Sequence, residues 1–239
     1  MCIRDRYIYG RGPVIEALKN EEVEKIYVGK NATGSIKKII GMARDLKVPT
    51  VTSDIEKLEE LAGTKNHQAV VALVSDFKYI ELEDLINKLE NKSDAKIFIL
   101  DKIEDPHNFG AIARSSNFFG VDAIIFPNRR ASTVNDTVVK SSAGAIYDID
   151  VCKVTNISQT LERLKDAGFW IYAADLNGED IRNCDFSGKA GIIIGNEGKG
   201  VSKNLLKNSD KIITIPNFSD FDSLNASVAA AIIMYEIFR

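Results

Sequence analysis

Apolar positions along the chain fall into two recurring patterns. Unbroken runs rich in β-branched and aliphatic residues read as buried strands, and stretches with apolar residues at three- and four-residue steps read as helices. The runs are Lys25 to Val28, Ala69 to Val74, Lys96 to Leu100, Ala123 to Phe126, Asp148 to Val154, Phe169 to Ala173, Ala190 to Ile194 and Lys211 to Ile215. Helices are expected over Val14 to Leu18, Ile36 to Leu46, Ile55 to Leu61, Gly110 to Phe119, Asp136 to Ser141 and Ile157 to Ala167, with a short one before the last strand and another closing the chain. In the second half every strand is followed by a helix, the mark of an α/β fold with a mostly parallel sheet covered on both faces. Between Asp76 and Asp94 the composition turns charged and polar, yet Leu82, Leu85, Ile86 and Leu89 still form one apolar stripe. The expected organisation is therefore a small α/β domain over 7–75, a partly helical linker over 76–94 and a larger domain over 95–239.

The closing helix has a clear period. Leu224, Val228, Ile232 and Tyr235 recur on one line, with Ser227, Ala230 and Met234 off it, so the helix is predicted to bury the first face. Ser223 and Asn225 stand at its start, where such residues cap orphan N–H groups. Two polar loops, Gly195 to Gly200 and Pro216 to Asp222, each follow a buried strand. Ligands of open α/β sheets bind beyond the carboxyl ends of strands, which makes these loops the first candidate site. The run Gly195-Asn196-Glu197-Gly198-Lys199-Gly200 has neither the dinucleotide fingerprint nor the Gly-Lys-Ser/Thr ending of a P-loop, which argues against a nucleotide phosphate cradle.

Composition narrows the function classes. At 239 residues and 45% hydrophobic content the chain can build a core in each of two domains. No apolar run approaches the roughly 18 residues of a membrane span, and no secretory pattern opens the chain, so a cytoplasmic location without membrane partners is expected. Cys2, Cys152 and Cys184 lack paired or metal-ligand spacing, and only His67 and His107 could join them, so no metal site is expected. A net charge of −3 argues against indiscriminate polyanion binding and no DNA partner is expected, although a local basic loop such as Arg129-Arg130 leaves RNA open. Met1 to Arg6 read as the translation of a sequencing-library adapter rather than as part of the fold.

Three segments carry a resemblance. Asn108-Phe109-Gly110-Ala111-Ile112-Ala113-Arg114-Ser115, then Ile194-Gly195-Asn196-Glu197-Gly198-Lys199-Gly200, then Ile215-Pro216 followed by Ser223-Leu224-Asn225-Ala226-Ser227-Val228-Ala229, resemble the three motifs of the SpoU-type, or TrmH-like, RNA ribose 2′-O-methyltransferases of the SPOUT superfamily. They occur in the family's order. In the first domain, Ile8-Tyr9-Gly10-Arg11, Glu16-Ala17-Leu18 and His67-Gln68-Ala69-Val70 are similar to the ribosomal-protein-like (L30e-like) substrate-binding domain of the branch that methylates a guanosine ribose in 23S ribosomal RNA.

The resemblance implies a homodimer, a SPOUT parallel-sheet catalytic domain ending in a trefoil knot, and S-adenosyl-L-methionine as cofactor. It implies cofactor contacts through the main chain at Gly195, Ile215 and Leu224, and a catalytic set of Arg114, Asn108, Glu197, Ser223 and Asn225. An arginine stays protonated, so Arg114 is expected to grip the hydroxyl or a neighbouring RNA phosphate rather than act as base, with Asn108 and Glu197 orienting it. Read as residues alone, Asn108 is a helix cap, Glu197 a favourable charge at a helix start, and Gly110 a gap giving a partner access to Arg114. The expected substrate is RNA, ribosomal before transfer RNA, with a transfer-RNA methyltransferase or a noncatalytic RNA-binding protein of this fold as alternatives. Family members commonly carry Met and Gly where this chain has Asn217 and Ser219, and Gly where it has Ala69.

Overall fold

A computed structural model describes residues 7–19, 23–30, 34–74, 77–219 and 223–239. The adapter-like Met1 to Arg6 and the end of the second candidate loop, 220–222, lie outside the described residues. The chain divides into two compact units, one ending at Phe77 and one running from Lys78 to Arg239.

The first unit is a four-stranded mixed sheet of β1 (Tyr7–Tyr9), β2 (Val23–Gly29), β3 (Thr50–Ser53) and β4 (Val70–Val74), in the order β1-β4-β2-β3. Helices α1 (Arg11–Lys19) and α2 (Ile36–Asp45) cover one face through Val14, Leu18, Ile36 and Ile39, and α3 (Ile55–Ala62) brings Leu58 against Val71 on the other. β1 and β3 were not expected: each is short, and β3 is mostly exposed, so neither shows a buried apolar run. The two motifs of this unit meet. The Gly10 N–H donates to the Val70 carbonyl at 3.2 Å and the Arg11 N–H to Gln68 Oε1 at 2.9 Å. Buried His67 accepts from the Ala69 N–H through Nδ1 at 3.1 Å, a structural role. Gln68 and Ala69 sit at φ of 52° and 61°, the left-handed region that favours glycine, which costs Ala69 about 1 kcal/mol.

The second unit is a six-stranded, wholly parallel sheet. Its strands are β5 (Ala95–Asp101), β6 (Ala123–Pro127), β7 (Asp150–Val154), β8 (Trp170–Asp180), β9 (Lys189–Gly195) and β10 (Lys211–Thr214), in the order β10-β8-β9-β5-β6-β7. The central strands are apolar at consecutive positions because both faces are covered. Ile97, Ile99 and Ile193 share a core with α4 (Leu82–Glu90), α7 (Ile157–Asp166) and α8 (Lys203–Asn208). By strand alternation Phe98, Ile192 and Ile194 point the other way, toward α5 (Pro106–Phe119) and α9 (Ala226–Ile237); Phe109 of α5 packs on Phe126 of β6 at 5.1 Å between ring centroids. A short α6 (Asp136–Ser141) crosses α5 closely.

Several expectations change. The helix expected within a linker buries Leu85 and Leu89 in the second unit's core, and just before it Ile80 pairs with the edge of β7. α5 begins at Pro106, four residues before the expected Gly110, because Asp105 caps it and proline suits the first helical position. A Cβ on Gly110 would lie 2.0 Å from Ser141 Oγ and 2.8 Å from the Val138 carbonyl, so this glycine admits α6 and opens no path to Arg114.

The final helix buries the opposite face from the one expected. Ala226, Ala230, Ile233 and Met234 are buried, whereas Leu224, Val228, Ile232 and Tyr235 are 45, 46, 38 and 60% exposed. α9 is apolar nearly all round, so period alone does not choose the inward face; in the fold Met234 lies against Ser116 of α5, and Ala226 and Ile233 turn into a cleft.

Candidate active site

A cleft of about 470 Å³ opens at the carboxyl ends of β9 and β10, beside the middle of β8. The glycine-rich turn after β9, the Ile213 to Ser219 stretch and the start of α9 form its walls. Gly195, Glu197, Ile215, Ser223 and Leu224 all line it. Its apolar wall comes from Ile194, Ile213, Ala226, Ala229 and Ile233, which are buried between the sheet and α9, apart from partly exposed Ala229.

The turn is held by close packing and by hydrogen bonds. A Cβ at Gly195 would fall 2.1 Å from the Gly200 carbonyl carbon and 2.2 Å from the Val201 nitrogen, so only glycine lets the chain fold back here. The Gly200 N–H donates to the Asn196 carbonyl at 2.7 Å, and Asn196 Oδ1 accepts from the Gly198 N–H at 3.0 Å. Two further contacts staple the turn to the end of β5, whose last residue, Asp101, lies in register with Gly195. Asn196 Nδ2 donates to the Lys102 carbonyl at 3.3 Å, and buried Asp101 accepts from both the N–H, at 2.7 Å, and the hydroxyl of Ser202. Lys102 Nζ donates to the same hydroxyl, from a backbone at φ 61°.

This clamp presents Glu197 to residues from two distant elements. Asn108 Nδ2, near the start of α5, donates to Glu197 Oε1. Asn225 Nδ2 donates to Asn108 Oδ1 at 3.0 Å and to Glu197 Oε1 at 3.4 Å. Asn225 also caps α9, its Oδ1 accepting from the Ser227 and Val228 N–H groups, so the capping role and the site role coexist in one side chain. Asn108 is no cap, since Asp105 fills that position, and the residue is 8% exposed. Glu197 stands in the turn, well before α8 and its cap Ser202, rather than at a helix start.

Arg114 stands apart from this cluster. It is exposed on α5, does not line the cleft, and makes no hydrogen bond or ion pair with the described residues; Asn108 and Glu197 hold each other and Asn225 instead. Asn217 and Ser219 line the cleft, and Asn217 Oδ1 accepts from the Ser219 N–H at 2.9 Å and its hydroxyl at 3.2 Å. The asparagine thus closes a local turn without glycine. Among the described residues no group of three or more His, Cys, Asp or Glu side chains could hold a metal.

Asp175 and Leu176, which also line the cleft, escaped the sequence reading. Their signal was present: Asp175-Leu176-Asn177-Gly178 is a polar, glycine-containing stretch directly after a buried strand, the same rule that marked the other two loops.

Known proteins share this architecture. The structure of the SpoU methyltransferase AviRb from Streptomyces viridochromogenes in complex with AdoMet aligns over 97% of this chain and 88% of its own, with a TM-score of 0.61 at 22% identity. The A. aeolicus TrmH/SpoU tRNA modifying enzyme aligns over 66% of this chain and 82% of its own, with a TM-score of 0.55 at 29% identity. In sequence, YacO of Bacillus subtilis, assigned by name to the TrmH family of tRNA/rRNA methyltransferases, is 38% identical over 237 residues, 98% of this chain and 95% of its own. Residues 7–80 match the family described as RNA 2′-O ribose methyltransferase substrate binding. Residues 95–235, which carry the whole cleft and the Asn108–Glu197–Asn225 cluster, match the SpoU rRNA methylase family, and the chain belongs to that family.

Proposed function

We propose that this chain methylates the 2′-hydroxyl of a ribose in structured RNA, using S-adenosylmethionine held in the cleft bounded by β8, β9 and β10. The observation that carries this reading is a cofactor-sized cleft whose mouth holds a carboxylate gripped by two amides from distant elements. The lining fits such a ligand. Its volume lies within the roughly 300–1,000 Å³ of small-molecule sites, and apolar walls stand beside main chain exposed at Gly195 and Ile215. When bound, the sulfonium supplies a methyl group to a nucleophile and leaves as a neutral thioether, so the leaving group needs no acid.

The chain's own residues have to align the hydroxyl and exclude water. Gly195, Ile215 and Leu224 hold the cofactor through main chain, and Ser223 completes the wall. Asn108 and Asn225 fix Glu197 through Oε1, which leaves Oε2 for the arginine or a ribose hydroxyl. Arg114 grips an RNA phosphate or the hydroxyl bidentately, and the phosphate or solvent takes the proton.

The first unit binds the RNA, its basic residues being Arg11, whose guanidinium donates to Ser35 just before α2, and exposed Lys37 and Lys38 in the first turn of that helix. Exposed Arg129 and Arg130 serve the second. The proposed substrate is ribosomal RNA, at a guanosine, ahead of transfer RNA; the resemblance of the first unit's motifs to an L30e-like substrate-binding domain supports this reading, with recognition by shape. The working form is a homodimer: the stripe of Leu224, Val228, Ile232 and Tyr235, with Phe119 of α5 lining the same groove as the last three, is apolar surface that a second copy would cover. The chain after β9 forms the trefoil knot, and the cytoplasm is where free Cys152 and Cys184 stay reduced.

The test compares ribose methylation maps of RNA from strains with and without the gene, followed by methyl transfer with purified protein. Arg114→Ala should abolish transfer while calorimetric cofactor affinity stays within about twofold of wild type. Unchanged turnover in that variant rules out the arginine's role, and a wild-type protein giving no saturable heat with S-adenosylmethionine rules out the cofactor.

A further inference from the structure

Strand β8 leaves its ladder with β10 partway along. Ile212 pairs with Ala173 and the next residue, Ile213, pairs with Glu179, so Ala174 to Gly178 swing out of the pairing. Gly178 pins the base of this excursion, since a Cβ there would lie 2.4 Å from the carbonyl carbon of Ile213 and 2.6 Å from its nitrogen. At the tip, Asp175 Oδ1 accepts from the Asn177 N–H at 3.1 Å and from Asn177 Nδ2 at 3.3 Å. Its other oxygen, Oδ2, has no hydrogen bond among the described residues and lies 3.9 Å from where a Gly200 Cβ would stand, which puts it toward the glycine-rich turn.

A carboxylate oxygen left without a donor in a cleft walled by Ala174, Ile194, Ile213 and Ala226 loses part of its hydration and gains nothing from the protein. A ligand carrying hydrogen-bond donors would offset that loss. We infer that Asp175 is a specificity-determining residue of the cleft, its Oδ2 accepting from a donor group of the bound cofactor. This rests on the cofactor reading above. S-adenosylmethionine offers three such donor groups, the ribose hydroxyls, the adenine amino group and the α-ammonium, and each can donate to a carboxylate.

Asp175→Asn isolates the claim. The amide oxygen still serves the turn to Asn177, the volume is unchanged, and the free acceptor is replaced by an NH₂ that opposes a donor. Calorimetric titrations of wild type and variant use three probes: S-adenosylmethionine, S-adenosylhomocysteine, and 5′-deoxy-5′-methylthioadenosine, which lacks the amino acid portion. Weakening of about tenfold or more toward all three places the contact on the adenosine portion, and weakening confined to the first two places it at the ammonium. Either outcome supports the inference. Wild-type binding with the variant within about twofold for every probe overturns it and leaves the cofactor reading standing, whereas a wild type that binds none of the three overturns both.

Discussion

Replacing Gly195 by alanine is the sharpest perturbation of the cleft, because one methyl group meets backbone on the far side of the turn. The added Cβ would lie 2.1 Å from the Gly200 carbonyl carbon, and reaching the 3.4 Å of ordinary contact requires a shift of about 1.3 Å. That backbone cannot yield easily: the Gly200 N–H is bonded to the Asn196 carbonyl, and Ser202 is anchored on buried Asp101. Overpacking of this kind costs about 1–3 kcal/mol, which read as ligand affinity is roughly 5- to 150-fold. Calorimetric titration with S-adenosylmethionine, paired with a thermal melt, measures both places where the cost can appear. Gly198→Ala is the control within the same turn, because its Cβ would have nothing nearer than Asn196 Oδ1 at 3.5 Å. A Gly195→Ala variant that binds and melts like wild type would refute the steric argument, as would a Gly198→Ala variant equally damaged.

Two further outcomes follow from the geometry. Val228→Glu with Ile232→Glu places charge on the exposed stripe of α9 and should convert a dimer to a monomer in sedimentation without unfolding it; a monomeric wild type would dispose of the assembly. Burial pushes the Cys152 thiol up to about 12 from 9.0, so above pH 9 the unfolded chain sheds a proton that the native protein keeps. That contribution to stability is complete below pH 9 and disappears as pH rises toward 12. Denaturant unfolding at neutral pH and near pH 11 should therefore show a steeper loss for wild type than for Cys152→Ala, and equal losses would contradict the burial argument.

Most of the framework was legible from local pattern. Runs such as Ala190 to Ile194 are apolar at every position because a parallel sheet is covered on both faces, and the run therefore announces the layer architecture as well as the strand. Gly195 to Gly200 announced a turn beyond a strand's carboxyl end, and the loops chosen on that rule do line the cleft. β1 and β3 did not announce themselves, being short and partly or mostly exposed.

Periodicity determined which residues of α9 share a face, and left open which face turns inward, because a helix apolar all round satisfies either packing. Only the tertiary structure made that choice, setting Met234 against Ser116 of α5 and turning Ala226 and Ile233 into the cleft. The same holds for the site. Asn108, Glu197 and Asn225 meet across 89 and 117 residues of chain because β9 lies beside β5 and α9 packs on α5, and Asp175 enters the cleft because β8 skips its partner between Ala173 and Glu179. Residue types and spacing state what each segment can do alone, while strand order and close backbone approach decide which segments share one cavity.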